Sequence, residues 1–83
     1  MLRRAVQEAV RESRELSDGF GFRLDETSIS FSDAAEWVSL EKRCCPFLSF
    51  QMNISGAGPD YWLHLTGPDG VKAILRNAFG ESL

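Results

Sequence analysis

A two-layer α+β domain, with helices collected on one face of an antiparallel sheet of three to four strands, is the fold class that this sequence predicts. Three observations carry it. "LSFQMNI" (48–54) and "YWLHLT" (61–66) alternate apolar and polar residues with period two, flanking stretches repeat apolar residues at helical spacing, and Gly, Pro, Asp and Ser punctuate the joins. Runs of strand and helix that do not alternate strictly point to α+β rather than to a parallel βαβ array. The expected order is α-β-(β)-α-β-β-α in one domain spanning residues 1–83.

The first helix is expected from Leu2 to Leu16, where Leu2, Ala5, Val6, Ala9, Val10 and Leu16 form one stripe and charged residues the other face. "SDG" at 17–19 ends it. "FGFRL" then alternates, with Phe20, Phe22 and Leu24 on one side, and "DET" turns the chain into "SISF", the optional short strand. Ser32 is the expected N-cap of a second helix from Asp33 through Cys44, burying Ala34, Trp37, Val38, Leu40 and at least one cysteine. Pro46 disfavours helical geometry at Cys45 and brings no N–H, so the helix stops there.

The two alternating stretches form a hairpin through "SGAGPD". Leu48, Phe50, Met52 and Ile54 of the first, with Tyr61, Leu63 and Leu65 of the second, are expected to face the helices. "GPDG" opens the last helix, with Pro68 in its first turn, Asp69 complementing the dipole and Val71, Ile74, Leu75, Ala78 and Phe79 as the buried stripe. Gly80 suits its C-terminal cap.

Composition limits the functions available. The chain has 83 residues, 25% of them charged, and a formal net charge of −3. No basic run tracks a phosphate backbone, so nucleic acid is not an expected partner. No apolar stretch approaches a membrane span, and "MLRRAVQEAV" lacks a signal-peptide core, so a cytosolic protein is expected. A domain this small buries only roughly 60–65% of its unfolded surface, which makes dimerisation a route to stability.

"EKRCCPFLSF" (41–50) holds the most distinctive chemistry. Adjacent cysteines are not a secreted disulfide framework, and a bond between them closes a strained, easily reduced ring. The helix C-terminus opposes thiolate formation, while Lys42 and Arg43 favour it. Two thiolates suit a soft ion such as Cu(I) or Hg(II); tetrahedral zinc needs four ligands, and this chain adds only Glu41, other carboxylates, His64 and Met52. A dimer pooling four cysteines meets that need. The bland reading makes one cysteine core filler and the other a half-exposed thiol, with Glu41 solvated.

Glu41 and His64 are also the residue types of an acid–base pair for a cysteine nucleophile, yet His64 falls on the opposite sheet face. An enzyme is therefore not the expected class. That opposite face gathers Ser49, Gln51, Asn53, Trp62, His64, Thr66 and Arg23. Trp62, with His64 and Gln51, makes it a recognition or self-association surface, set against the bland reading of a solvated face with one stray Trp.

The blocks "AEWVSLEKRCCPFLSFQMNI" and "YWLHLTGPDGVKAIL" resemble a group of small bacterial proteins, mostly uncharacterised, with a Glu-x-Arg-Cys-Cys-Pro-Phe motif. Here it is Glu41, Arg43, Cys44, Cys45, Pro46 and Phe47, followed by a Leu-x-Leu-Thr-Gly-Pro-Asp-Gly turn at 63–70. The motif is similar to a C-terminal segment of some metal-responsive regulators of the mercury-resistance type. The resemblance implies a soft-metal or thiol-related role and no defined activity. This chain has no helix-turn-helix, so the regulators' DNA binding is not implied. The leading expectation is a cytosolic dimer that binds a thiophilic metal or metalloid through Cys44 and Cys45, with Glu41 as a further donor. Its rivals are a metal-free interaction module and, lower, a cysteine-dependent enzyme.

Overall fold

The computed structural model describes residues 2–79, with side chains from residue 4 onward. Its elements are α1 (Leu2–Ala9), β1 (Glu12–Leu16), β2 (Gly19–Asp25), α2 (Phe31–Cys44), β3 (Ser49–Asn53), β4 (Asp60–Thr66) and α3 (Val71–Phe79). The strands form one antiparallel sheet in the order β1-β2-β4-β3. This is the α+β arrangement expected. The final glycine cap, Gly80, lies outside the described residues, as does the side chain of Leu2.

The central strands carry the core. Phe20, Phe22 and Leu24 of β2 and Tyr61, Leu63 and Leu65 of β4 are all buried, on the side covered by Val6 and Ala9 of α1, Ala34 and Trp37 of α2, and Val71, Leu75 and Phe79 of α3. Each large side chain so buried is worth about 1.5–3 kcal/mol against exposure. Phe22 and Leu63 face each other across the β2–β4 ladder with no exposed surface, so the period-two pattern and the pairing register agree.

Several boundaries move. The first helix stops at Ala9, and Glu12–Leu16, expected to be helical, pairs with β2 through Leu16↔Gly19 to Glu12↔Arg23. "ESREL" has no β-branched or aromatic residue, so local preference does not choose the strand; the β2 edge does, supplying a row of backbone partners. Glu15 then reaches Lys72 at 2.5 Å and Arg76 at 3.3 Å on α3, an ion pair that tethers the new edge strand to the helix layer. Leu16 leaves the helical stripe for the open sheet face, and Ala5 is exposed.

"SISF" is not a strand. Asp25 takes up the Thr27 N–H at 2.8 Å and the Thr27 hydroxyl at 2.7 Å, bending the chain, and Ile29 is buried instead. Ser30, two residues earlier than expected, caps α2 by accepting the Asp33 N–H at 3.1 Å. Leu40 is 49% exposed, because it lies about 100° from the buried line of Ala34, Trp37 and Glu41 at 100° per residue.

Ile54 is 52% exposed beyond the end of β3, and Ile74 is 47% exposed on α3. The last helix begins at Val71 rather than in the turn. Gly70 takes a φ of 93°, a left-handed conformation that keeps Pro68 and Asp69 out of the first turn.

Candidate functional site

The end of α2 is shaped by hydrogen bonds that the sequence does not advertise. The Cys45 N–H donates to the Glu41 carbonyl at 2.7 Å, the last bond of helical type, and Cys45 itself sits at φ −129°, ψ 75°. Beyond it the Lys42 ammonium donates to the Pro46 carbonyl at 2.8 Å and the Leu48 carbonyl at 2.6 Å. Lys42 thus satisfies carbonyls at the helix-to-strand junction, a role that competes with the expected one of favouring a thiolate.

The cysteines part company here. Cys44 is exposed, and Cys45 is half-buried and packs against the core. Cys45 lines a cavity of about 270 Å³ between α2 and α3, bounded also by Trp37, Glu41, Leu48, Leu75 and Phe79. Cys44 is one turn after Leu40 on the exposed side of the helix, where i and i+4 side chains are neighbours.

Glu41 is the largest departure from expectation at this site. It is 7% exposed, the only buried charged or polar residue among those described, and so is not the solvated glutamate of the bland reading. Its position, four residues before Cys45, puts it on the cavity side of α2. Trp37 stands beside it, boxed edge-on by Phe50 at 6.1 Å and Phe79 at 5.8 Å, and its indole N–H has no hydrogen-bond partner among the described residues.

Among the described residues, no three of His, Cys, Asp and Glu gather as a metal-ligand group. Glu41 with Cys44 and Cys45 therefore does not make a three-donor site within one chain. What stands there is a pair of thiols adjacent in sequence, one exposed and one half-buried.

Trp62, His64 and Gln51 do come together, on the sheet face turned away from the helices. Gln51 is opposite His64 in the β3–β4 ladder, and the Trp62 and His64 rings are 6.2 Å apart. Gly21 sits opposite His64 from the other side, and a Cβ there would meet His64 Cδ2 at 2.8 Å, so both rings lean over the space a side chain would fill. Arg14 of β1 lays its guanidinium 4.5 Å from the Trp62 ring centroid, a cation–π stack. A shallow cavity of about 350 Å³ is bounded there by Arg14, Asn53, Ile54, Ser55, Trp62 and His64. Arg23, on the same face, is held by Glu12 at 3.2 Å and Asp60 at 2.8 Å.

His64 and Glu41 therefore serve opposite sides of the sheet, and no acid–base pair is assembled beside the cysteines. Arg14 was invisible as a site residue because the helix expected over 2–16 hid it. No local signal exposes it: "ESREL" has no apolar alternation, and the strand forms on the β2 edge.

No protein-family model, curated protein or solved structure matches this chain. No described helix is long and apolar enough to cross a membrane.

Proposed function

We propose that this protein captures a thiophilic metal or metalloid ion through Cys44 and Cys45 at the end of α2. The observation that supports the reading is the adjacency of two thiols at the helix end, Cys44 open to solvent and Cys45 at the wall of the α2–α3 cavity. An ion can be met by the outer thiol and shared with an inner one whose surroundings are mostly apolar. Soft thiolate donors select soft ions, and two donors suit near-linear coordination of Cu(I) or Hg(II). Zinc would call on the thiols of a second chain to complete four ligands.

Binding requires deprotonated sulfur, so uptake releases protons and tightens as pH rises. The test is an anaerobic titration of reduced protein with Hg(II), Cu(I), Zn(II) and arsenite, beside a Cys44→Ser/Cys45→Ser variant. Tight uptake by the wild type alone supports the reading. Equal, weak uptake by both proteins removes it.

A second reading rests on the stacked Arg14–Trp62 pair and the polar cavity beside it. It makes the open sheet face, with Trp62, His64 and Gln51, a metal-free surface for another protein or a second copy. Trp62→Ala would then change the sedimentation coefficient while the double-cysteine variant sediments as wild type. The reverse pattern counts against it.

A further inference from the structure

The two edges of the sheet are unlike. Strand β1 reads Glu-Ser-Arg-Glu-Leu, with three charged residues of five, the usual device for stopping an edge from pairing. Strand β3 reads Ser-Phe-Gln-Met-Asn, with no charge and no proline, and among the described residues no strand pairs with its outer side. Its helix-facing side chains are less covered than Leu48 just before the strand: Leu48 is 4% exposed, whereas Phe50 and Met52 are only half-buried. The layer is complete at one end of the strand and unfinished at the other.

We propose that β3 pairs with β3 of a second copy, antiparallel about a two-fold axis at Gln51, joining two four-stranded sheets into one continuous sheet. Antiparallel pairing about that residue sets Gln51 opposite Gln51, Ser49 opposite Asn53 and Phe50 opposite Met52. The half-buried Phe50 and Met52 of one copy thereby meet those of the other on the helix side of the sheet. Phe50 against Met52 is a sulfur–aromatic pair, and Ser49 with Asn53 and the paired Gln51 amides are donors and acceptors that match across the axis.

Charge selects this edge over the other. The same operation on β1 sets Arg14 against Arg14, a like-charge contact directly across the ladder, and leaves Glu12 opposite Leu16. Pairing along β3 confronts no charge with another within the strand. An isologous contact of this kind closes after two copies, since it consumes the uncharged edge of the described sheet on each. The inference does not depend on metal binding at the cysteines; it uses the β3 edge, which borders the Trp62 face at Gln51.

The register makes the proposal testable at single residues. Across the axis, paired Gln51 Cα atoms stand about 4.5–5.5 Å apart, inside the roughly 4.4–6.8 Å range of a disulfide. Paired Ser49 Cα atoms stand about 14–15 Å apart, from about 3.4 Å per residue along the strand and about 5 Å across it, and cannot be bridged. In a Cys44→Ser/Cys45→Ser background, Gln51→Cys should cross-link into a covalent dimer on mild oxidation, and Ser49→Cys should not.

Sedimentation equilibrium should give twice the chain mass for the wild type. Met52→Lys should sediment as a folded monomer, because it sets an ammonium opposite Phe50 of the second copy. A wild-type protein that stays monomeric into the millimolar range overturns the proposal. So does equal cross-linking at positions 49 and 51, or a dimer dispersed by Trp62→Ala and untouched by Met52→Lys.

Discussion

Adding one methyl group at Gly19 or at Gly21 should have very different consequences, although the residues are two apart on the same strand and the same face. A Cβ at Gly19 would lie 1.9 Å from the backbone carbonyl oxygen of Leu65 and 2.8 Å from the Thr66 Cα. Ordinary Cβ contacts stay beyond 3.0 Å, so the β2 and β4 backbones must separate by about 1 Å where Gly19 pairs with Thr66. That disturbs the central ladder at the end held by the Gly67 N–H, which donates to the Asp18 carbonyl at 3.0 Å. Overpacking of this kind costs about 2–3 kcal/mol, a large fraction of the roughly 4–12 kcal/mol that a domain of this length commands.

At Gly21 the obstacle is the His64 ring, which can turn away, and the substitution gains about 0.4–1 kcal/mol by restricting the unfolded chain. Its net effect should stay within about 1 kcal/mol. Urea unfolding followed by circular dichroism reads both. At a slope of about 1–1.5 kcal/mol/M, Gly19→Ala should lower the midpoint by about 1.3–3 M and Gly21→Ala should shift it by no more than about 1 M. Equal midpoints for the two variants would refute the steric argument and the β2–β4 register with it.

Other outcomes follow from the same geometry. Burial pushes the Tyr61 phenol up to about 12, and its hydroxyl donates to the Ile29 carbonyl at 2.8 Å. Because the unfolded phenol ionises near pH 10, its contribution is intact below that pH and is lost as pH rises toward 12, by about 3 kcal/mol in full. Tyr61→Phe should be less stable at pH 8, with the gap to wild type closing between pH 10 and 12 in parallel urea titrations. The Lys72 ammonium, hydrogen-bonded to Glu15, holds that carboxyl below its ordinary value of 4.5, so this stabilisation is present above that pH and fades as pH falls below it. Carbon-detected NMR should find Glu15 titrating at higher pH in Lys72→Met. Iodoacetamide under native conditions should modify Cys44 faster than Cys45, and the two rates should converge in urea.

The sequence was most informative where one pattern had one physical meaning. "YWLHLT" alternates between two distinct environments, and its buried and open residues fall where period two puts them, Trp62 and His64 included. "AVRESREL" was ambiguous: its spacing tolerates a helix, and only the β2 edge, brought close by the rest of the chain, makes Glu12–Leu16 a strand. The turn gave little warning, since Gly19 is the first residue of the strand rather than part of the two-residue loop at Ser17 and Asp18. Glu41 was misjudged for a related reason. Its type argues for solvent, but its place in line with Ala34 and Trp37 carries it inward, and helical phase overrode residue type. Cys44 and Cys45 could be found by eye, whereas their unequal exposure depends on how the chain leaves α2.

That departure is governed by Lys42. One ammonium grips the chain at two points past the helix, turning the stretch from Lys42 to Leu48 into a closed loop without a covalent bond. Both thiols are carried on that loop, so their reach is set by a lysine that belongs to neither metal nor redox chemistry. Acetylating this amine, or replacing it with methionine, would cut the loop open and alter thiol reactivity with both sulfurs left in place. The handle on the cysteines is a nitrogen.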